Sequence, residues 1–188
     1  MKHYVFTGAV VLAMSAAPAF AQTTGATGAT RTTSKTAKSS AMSDQKFIHE
    51  AAQGGMAEVE LGKLAEQNAS SQEVKSFGKR MVDDHSKAND ELKEIAKTKN
   101  VTMPTDLDAK DKALHDRLAK LQGTQFDRAY MQAMVKDHKK DVAAFRHEST
   151  AGNDPDVKSF ASKTLPTLED HLKMAETADK AVGTSGKK

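Results

Sequence analysis

Four long stretches of this chain step from one apolar or small residue to the next by alternate strides of four and three. That spacing keeps one side chain per turn on a single helical face and gives a two-residue strand nothing to alternate with. In the first stretch, 44 to 68, the seam is Phe47, Ala51, Gly54, Glu58, Leu61 and Ala65. The second, 71 to 99, carries Val74, Gly78, Met81, His85, Ala88, Leu92 and Ile95, with Phe77 alongside. A third opens at Thr124 and presents Phe126, Tyr130, Met131, Met134, His138, Val142 and Phe145. The fourth presents Val157, Ala161, Thr164, Leu168, His171, Ala175, Ala178 and Val182. No segment alternates strictly, so the sequence predicts an all-α fold.

Helix ends are also legible. Ser43 is placed to cap the first helix, and Ser70 with Glu73, then Thr124 with Asp127, have capping-box spacing. Asp154 followed by Pro155 is a favoured helix start. Gly54-Gly55 within the first helix costs roughly 1 kcal/mol per glycine against alanine, which predicts a neighbouring helix pressed close just before Glu58. Pro166 predicts a kink one turn before His171.

Between Met103-Pro104 and Gly123 a shorter helix, 106 to 122, shows one narrow stripe of Leu107, Leu114, Leu118 and Leu121, expected to pack on the bundle. The halves of the chain look related: Val-Lys-Ser-Phe at 74–77 recurs at 157–160, and each is followed by an Asp-His pair. Two helical hairpins joined by a crossover long enough to run the length of a bundle make a ferritin-like four-helix topology, with a short extra helix in the crossover.

The ends of the chain belong to its address rather than its fold. Residues 1–21 read as a signal peptide: Lys2 and His3, a short apolar run, then Pro18 and Ala19-Phe20-Ala21 before an expected cleavage after Ala21. The apolar run is too short to span a bilayer, and no later segment is apolar enough. With no cysteine in the chain, disulfides, thiolate chemistry and a cysteine-borne lipid anchor are excluded. Residues 22–42, rich in Thr, Ser, Ala, Gly and Lys, read as a disordered tether. The bundle is expected over 43–182 and a frayed tail over 183–188. Acidic and basic residues are interspersed and the net charge is only +3, which is solvated helix surface and no nucleic-acid footprint. An exported, periplasmic or secreted protein, monomeric or weakly associating, is the resulting expectation.

One level of the seams breaks the apolar rule. Glu58, His85, His138 and His171 each occupy a slot where leucine would ordinarily sit. Ionisable groups at core positions must be paired, hydrogen-bonded or metal-bound. One carboxylate and three imidazoles suit a single Zn, Cu, Fe or Mn ion. Asp84, Asp137 and Asp170 each directly precede a histidine, about 100° around the helix from it, and are candidates to face neighbouring helices and accept imidazole N–H groups there. Met81, Met134 and Met174 share helix faces with the three histidines; thioethers there would favour copper, while methionine at helical spacing also fills cores. His49, His115, His147 and Glu60 lie off the seam.

The runs Gly54-Gly55-Met56-Ala57-Glu58-Val59-Glu60-Leu61, Met81-Val82-Asp83-Asp84-His85, Phe126-Asp127-Arg128-Ala129-Tyr130 and Leu165-Pro166-Thr167-Leu168 together resemble the exported bacterial family catalogued as domain of unknown function 4142. The resemblance covers about residues 44–180 and implies a ferritin-like fold and an envelope location. An outer-membrane label often used for that family sits badly here, because nothing reads as a barrel strand. Ferritin activity does not come with the fold: three residues before each histidine stand Val82, Val135 and Leu168, not the glutamates of a di-iron carboxylate centre.

Three readings of the polar layer follow. It is a hydrogen-bonded core with Glu58 bridging histidines, a transition-metal site, or a redox or hydrolytic catalyst, for which no substrate pocket or nucleophile is legible. A metal-free function would be an envelope or stress-related module binding a partner protein or polymer through its helical surface.

Overall fold

A computed structural model describes residues 30–184, with side chains from 44 to 183. The expected signal peptide, the tether up to residue 29 and residues 185–188 lie outside the described residues. Five helices follow one another: α1 Thr30–Asn68, α2 Gln72–Thr98, α3 Ala109–Leu118, α4 Gly123–Ala151 and α5 Pro155–Thr184. There is no strand among the described residues. Helix α1 begins at Thr30, so Ser43 lies within it rather than at its start, and residues 30–42 of the segment read as a tether are helical.

Contacts between ends define the topology. Asp127, at the start of α4, meets Ser70 and Ser71 between α1 and α2, and Arg128 donates to the Val182 carbonyl near the end of α5. At the opposite pole, Asp44 accepts from the backbone N–H groups of Asn153 and Asp154, and Lys99 pairs with Asp154 and Asp156. Helices α1 and α2 therefore form one antiparallel hairpin, and α4 and α5 form the other. Since α2 ends at the far pole and α4 starts at the near one, residues 99–122 must travel the whole bundle. Along the way Gln53 binds the Asp106 carbonyl and Asn68 the Leu121 carbonyl. This is the crossover expected of a four-helix bundle of ferritin-like type.

Local chemistry departs from the sequence reading at three helix starts. Asp127 does not cap its own helix; its buried carboxylate accepts from the backbone N–H groups of Ser70 and Ser71, at 3.0 Å each, and from the Ser70 hydroxyl. The start of α2 is thus capped from across the bundle, and neither expected capping box forms. Helix α3 is shorter than expected, opening on Asp108, whose side chain accepts from the Asp111 N–H at 2.8 Å. Gly123 does not stop α3 but opens α4, with φ of 60°, where a side chain would be strained. Asp154 caps α5 as expected, accepting from Asp156 and Val157. Helix α5 continues through Pro166 to Thr184.

Helix α2 presses close on α1 at Gly55, just before Glu58, as expected, and backbone meets backbone farther along the hairpin. A Cβ on Gly62 would stand 2.6 Å from the Gly78 carbonyl oxygen, and one on Gly78 would stand 2.6 Å from the Ala65 Cβ. Backbones touch here because both residues lack side chains. Gly55 makes a similar approach to Asn89, while Gly54 faces open space.

The apolar core is in two parts. Leu61, Phe77, Met81, Phe126, Tyr130 and Met134 belong to a cluster toward the near pole, with Leu118 of α3 buried in it. Phe47, Ile48, Leu92, Phe145, Phe160 and Leu168 belong to another toward the far pole. Each fully buried Leu or Phe contributes about 1.5–3 kcal/mol of hydrophobic stabilisation. Both clusters stop at the same level, and the polar layer fills the interval.

Candidate metal centre

Seam positions on α1, α2, α4 and α5 bring Glu58, His85, His138 and His171 inward, as their spacing predicts. Exposure is 1% for Glu58, 6% for His85 and 0% for His138 and His171. The ring centroids of the three histidines lie 5.3–5.9 Å apart. Each of the three offers a nitrogen within 4.8 Å of the other two. The Glu58 carboxylate spans two of them, with Oε2 2.9 Å from His85 Nδ1 and Oε1 3.3 Å from His138 Nε2.

Proton positions follow from what each ring's other nitrogen meets. His138 Nδ1 is 3.0 Å from the Met134 carbonyl, an acceptor only, so that nitrogen carries the hydrogen. His171 Nε2 lies 2.9 Å from Asp84 Oδ2 and donates to it. Asp84 is in turn held by Arg80 Nε at 3.2 Å. His85 Nδ1 faces Glu58. Lone pairs are left on His138 Nε2 and His171 Nδ1. These two atoms and His85 Nε2 are buried without a hydrogen-bond partner, and so is Glu58 Oε1. Buried polar atoms are rarely orphaned, and four from one cluster demand an explanation. A tetrahedral ion with bonds of about 2.0–2.1 Å sets its ligand atoms about 3.3–3.4 Å apart. The Glu58–His138 separation of 3.3 Å is already that spacing.

Electrostatics keep the layer neutral when no ion is present. Burial pushes the Glu58 carboxyl up to about 8; the nearby His138 works against that shift, and Asp137 and Asp111 add to it. Burial drives His85 down to about 4, the neighbouring aspartates only partly opposing it. His171 also falls to about 4 by burial, despite its bond to Asp84. His138 is lowered for the same reason. Around Asp84, burial acts upward, yet hydrogen bonds from His171 and Arg80 hold the carboxyl below its ordinary value.

Of the aspartates preceding histidines, Asp84 alone takes an imidazole N–H. Asp170 is exposed and lines a surface groove with Arg80 and Met174. Asp137 joins a second group: it, Asp141 and Glu58 have carboxylate oxygens within 4.8 Å of one another. Asp141, which the seam analysis missed, is pushed up to about 9 by burial and by the charges of Glu58 and Asp137. Its position four residues after Asp137, on the same face of α4, was the available signal. Met81 and Met134 lie in the near-pole apolar cluster, and Met174 receives an N–H from Arg80 through its sulfur. His49 and His147 are exposed and His115 is half-buried.

Fold and layer together define the class: a four-helix bundle, crossed by a fifth short helix, with a buried histidine–glutamate cluster at its centre. Residues 29–178 match the family of the domain of unknown function DUF4142, and the chain belongs to that family. A crystal structure of a DUF305 fragment from Deinococcus radiodurans is similar, with a TM-score of 0.64 and 14% identity over 76% of this chain and 96% of that one. At that identity the likeness speaks for the fold alone. A comparison with curated proteins finds no match.

Proposed function

We propose that this protein is an exported helical bundle that holds one transition-metal ion between Glu58, His85, His138 and His171. One observation carries the reading. Three buried imidazoles each offer a nitrogen within 4.8 Å of the other two, while the Met134 carbonyl and the Asp84 carboxylate, on the far sides of the His138 and His171 rings, hold those two in the matching tautomer. That second set of partners raises the basicity of the ligands and orients them. Three nitrogens and one oxygen, with sulfur committed elsewhere in the case of Met174, suit Zn or Cu ahead of Fe or Mn. The expected export rests on the sequence of residues 1–21. No described helix is long and apolar enough to cross a membrane.

The ion would replace the proton that burial leaves on Glu58, so binding releases protons and weakens in acid. Elemental analysis of untagged protein taken from its native compartment is the test. One ion per chain, absent from Glu58→Gln and His171→Ala variants that remain helical, supports the reading. Metal-free protein whose melting is indifferent to both added ions and chelator overturns it. That result would favour the metal-free reading, an envelope or stress-related interaction module, which the near-neutral charge state of the layer permits.

A further inference from the structure

The polar layer is packed tightly on one side only. Toward the near pole, the next turn of each helix supplies Leu61, Met81, Met134 and Ala175, all buried in the apolar cluster there. Toward the far pole, the matching turns of α1 and α2 supply Gly54, Gly55 and Ala88, and a cavity of about 20 Å³ remains beside Glu58 and His85. We propose that this cavity seats one water molecule bound to the ion of the layer, so that the ion keeps an exchangeable position. This position rests on the imidazole reading and deepens it.

The placement follows from helical spacing. Gly54 and Gly55 stand one turn before Glu58, Ala88 one turn after His85, Asp141 one turn after His138 and Leu168 one turn before His171, and all of them line the cavity. Residues one turn apart share a helix face, so the four long helices enclose this space directly against the layer. Its volume follows from the residue types. Two glycines and an alanine leave open what leucine and methionine fill on the other side, and a Cβ on Gly54 would meet nothing within 4 Å. A cavity of that size holds one water, provided that polar partners surround it. Glu58, His85, Asn89 and Thr164 bring polar side chains to its wall. Of these, His85 has its Nε2 buried without a hydrogen-bond partner. The walls contributed by Leu92, Phe145 and Phe160 exclude anything much larger. Structural ions are closed off by protein ligands, whereas an ion with a water in its coordination sphere can exchange that ligand for another.

Full-length mature protein loaded with one equivalent of Cu²⁺ is exchanged into H₂¹⁷O and read by electron–nuclear double resonance. The expected spectrum of the wild type combines the ¹⁴N couplings of imidazole ligands with the ¹⁷O coupling of a directly bound water. Ala88→Leu, which fills the cavity, should keep its copper, its ¹⁴N couplings and its helicity and lose the ¹⁷O coupling. Should that variant unfold, Gly54→Ala, whose methyl enters open space, supplies the same comparison. Imidazole couplings without a ¹⁷O coupling in the wild type, or a ¹⁷O coupling unchanged in the filled and folded variant, overturn the water site and leave the imidazole reading standing. Copper that shows no ¹⁴N couplings, or is not retained at all, overturns the imidazole reading and the water site with it.

Discussion

Asp84 Oδ2 sits 2.9 Å from His171 Nε2 and 3.2 Å from Arg80 Nε, so a surface guanidinium is linked through one carboxylate to a fully buried imidazole. The link fixes which His171 nitrogen carries the proton and turns the other one inward. Asp84→Asn can present its NH₂ group to the ring and stabilise the wrong tautomer. Metal affinity should fall about 10–100-fold, the usual cost of removing such a partner, while helicity is retained. Competition against a chromogenic chelator measures it, and an unchanged Kd would separate Asp84 from the site.

Acidity should act on the metal-free protein from both sides. Glu58 and Asp141 are raised from 4.5 and 3.8 to about 8 and about 9. Their contribution is complete below the unfolded values and is lost as pH rises through 8 and 9. His85 and His171 are depressed from 6.5 to about 4. Theirs is present above 6.5 and is lost as pH falls through 4. Above pH 6.5 only the carboxyls titrate between the folded and unfolded states in this set, so the melting temperature in chelator should decline from there to pH 9. Glu58→Gln should flatten that decline, and a saturating ion should remove most of it. Thermal unfolding followed by circular dichroism across this range reports all three curves.

Two glycines of α1 should respond in opposite directions. At Gly62 an added methyl meets the Gly78 carbonyl at 2.6 Å, backbone against backbone with nothing able to move aside. Gly62→Ala should cost about 1–3 kcal/mol, as overpacking does. At Gly54 nothing lies within 4 Å. Gly54→Ala should add roughly 0.5–1 kcal/mol through the restricted unfolded chain and better helix propensity. Urea denaturation of the pair is a direct comparison.

Asp127 joins the start of α4 to the turn between α1 and α2 through two backbone N–H groups and a hydroxyl. Replacing this buried carboxylate with alanine leaves those donors unpaired, at a cost of about 2–4 kcal/mol. Chemical denaturation should show the loss, and a shift below about 0.5 kcal/mol would assign the end-to-end tie elsewhere.

Much of this architecture was readable because the helices carry their own period. The seams named Leu61, Met81, Met134 and Leu168 as core, and the same arithmetic put Glu58 and the three histidines on one level. What escaped the sequence depends on pairs of helices. Asp127 has capping-box spacing to Thr124, yet its partners are 56 and 57 residues away. Asp141 was not among the seam residues of α4, and its carboxylate comes near that of Glu58 only once α1 and α4 are brought together. Gly62 is off the α1 seam, and its need for a bare backbone appears only when Gly78 is set against it. The tether composition of residues 30–42 suggested no helix, because weak local propensity says little about a segment continuous with a strong one.

X-ray absorption of zinc-loaded protein after desalting tests the central claim most directly. The account predicts about four nitrogen or oxygen ligands at about 2.0–2.1 Å, with the outer-shell scattering of three imidazoles, lost in part when His171 is replaced by alanine. A shell of oxygens without imidazole scattering, or the same spectrum from the His171→Ala protein, would contradict it.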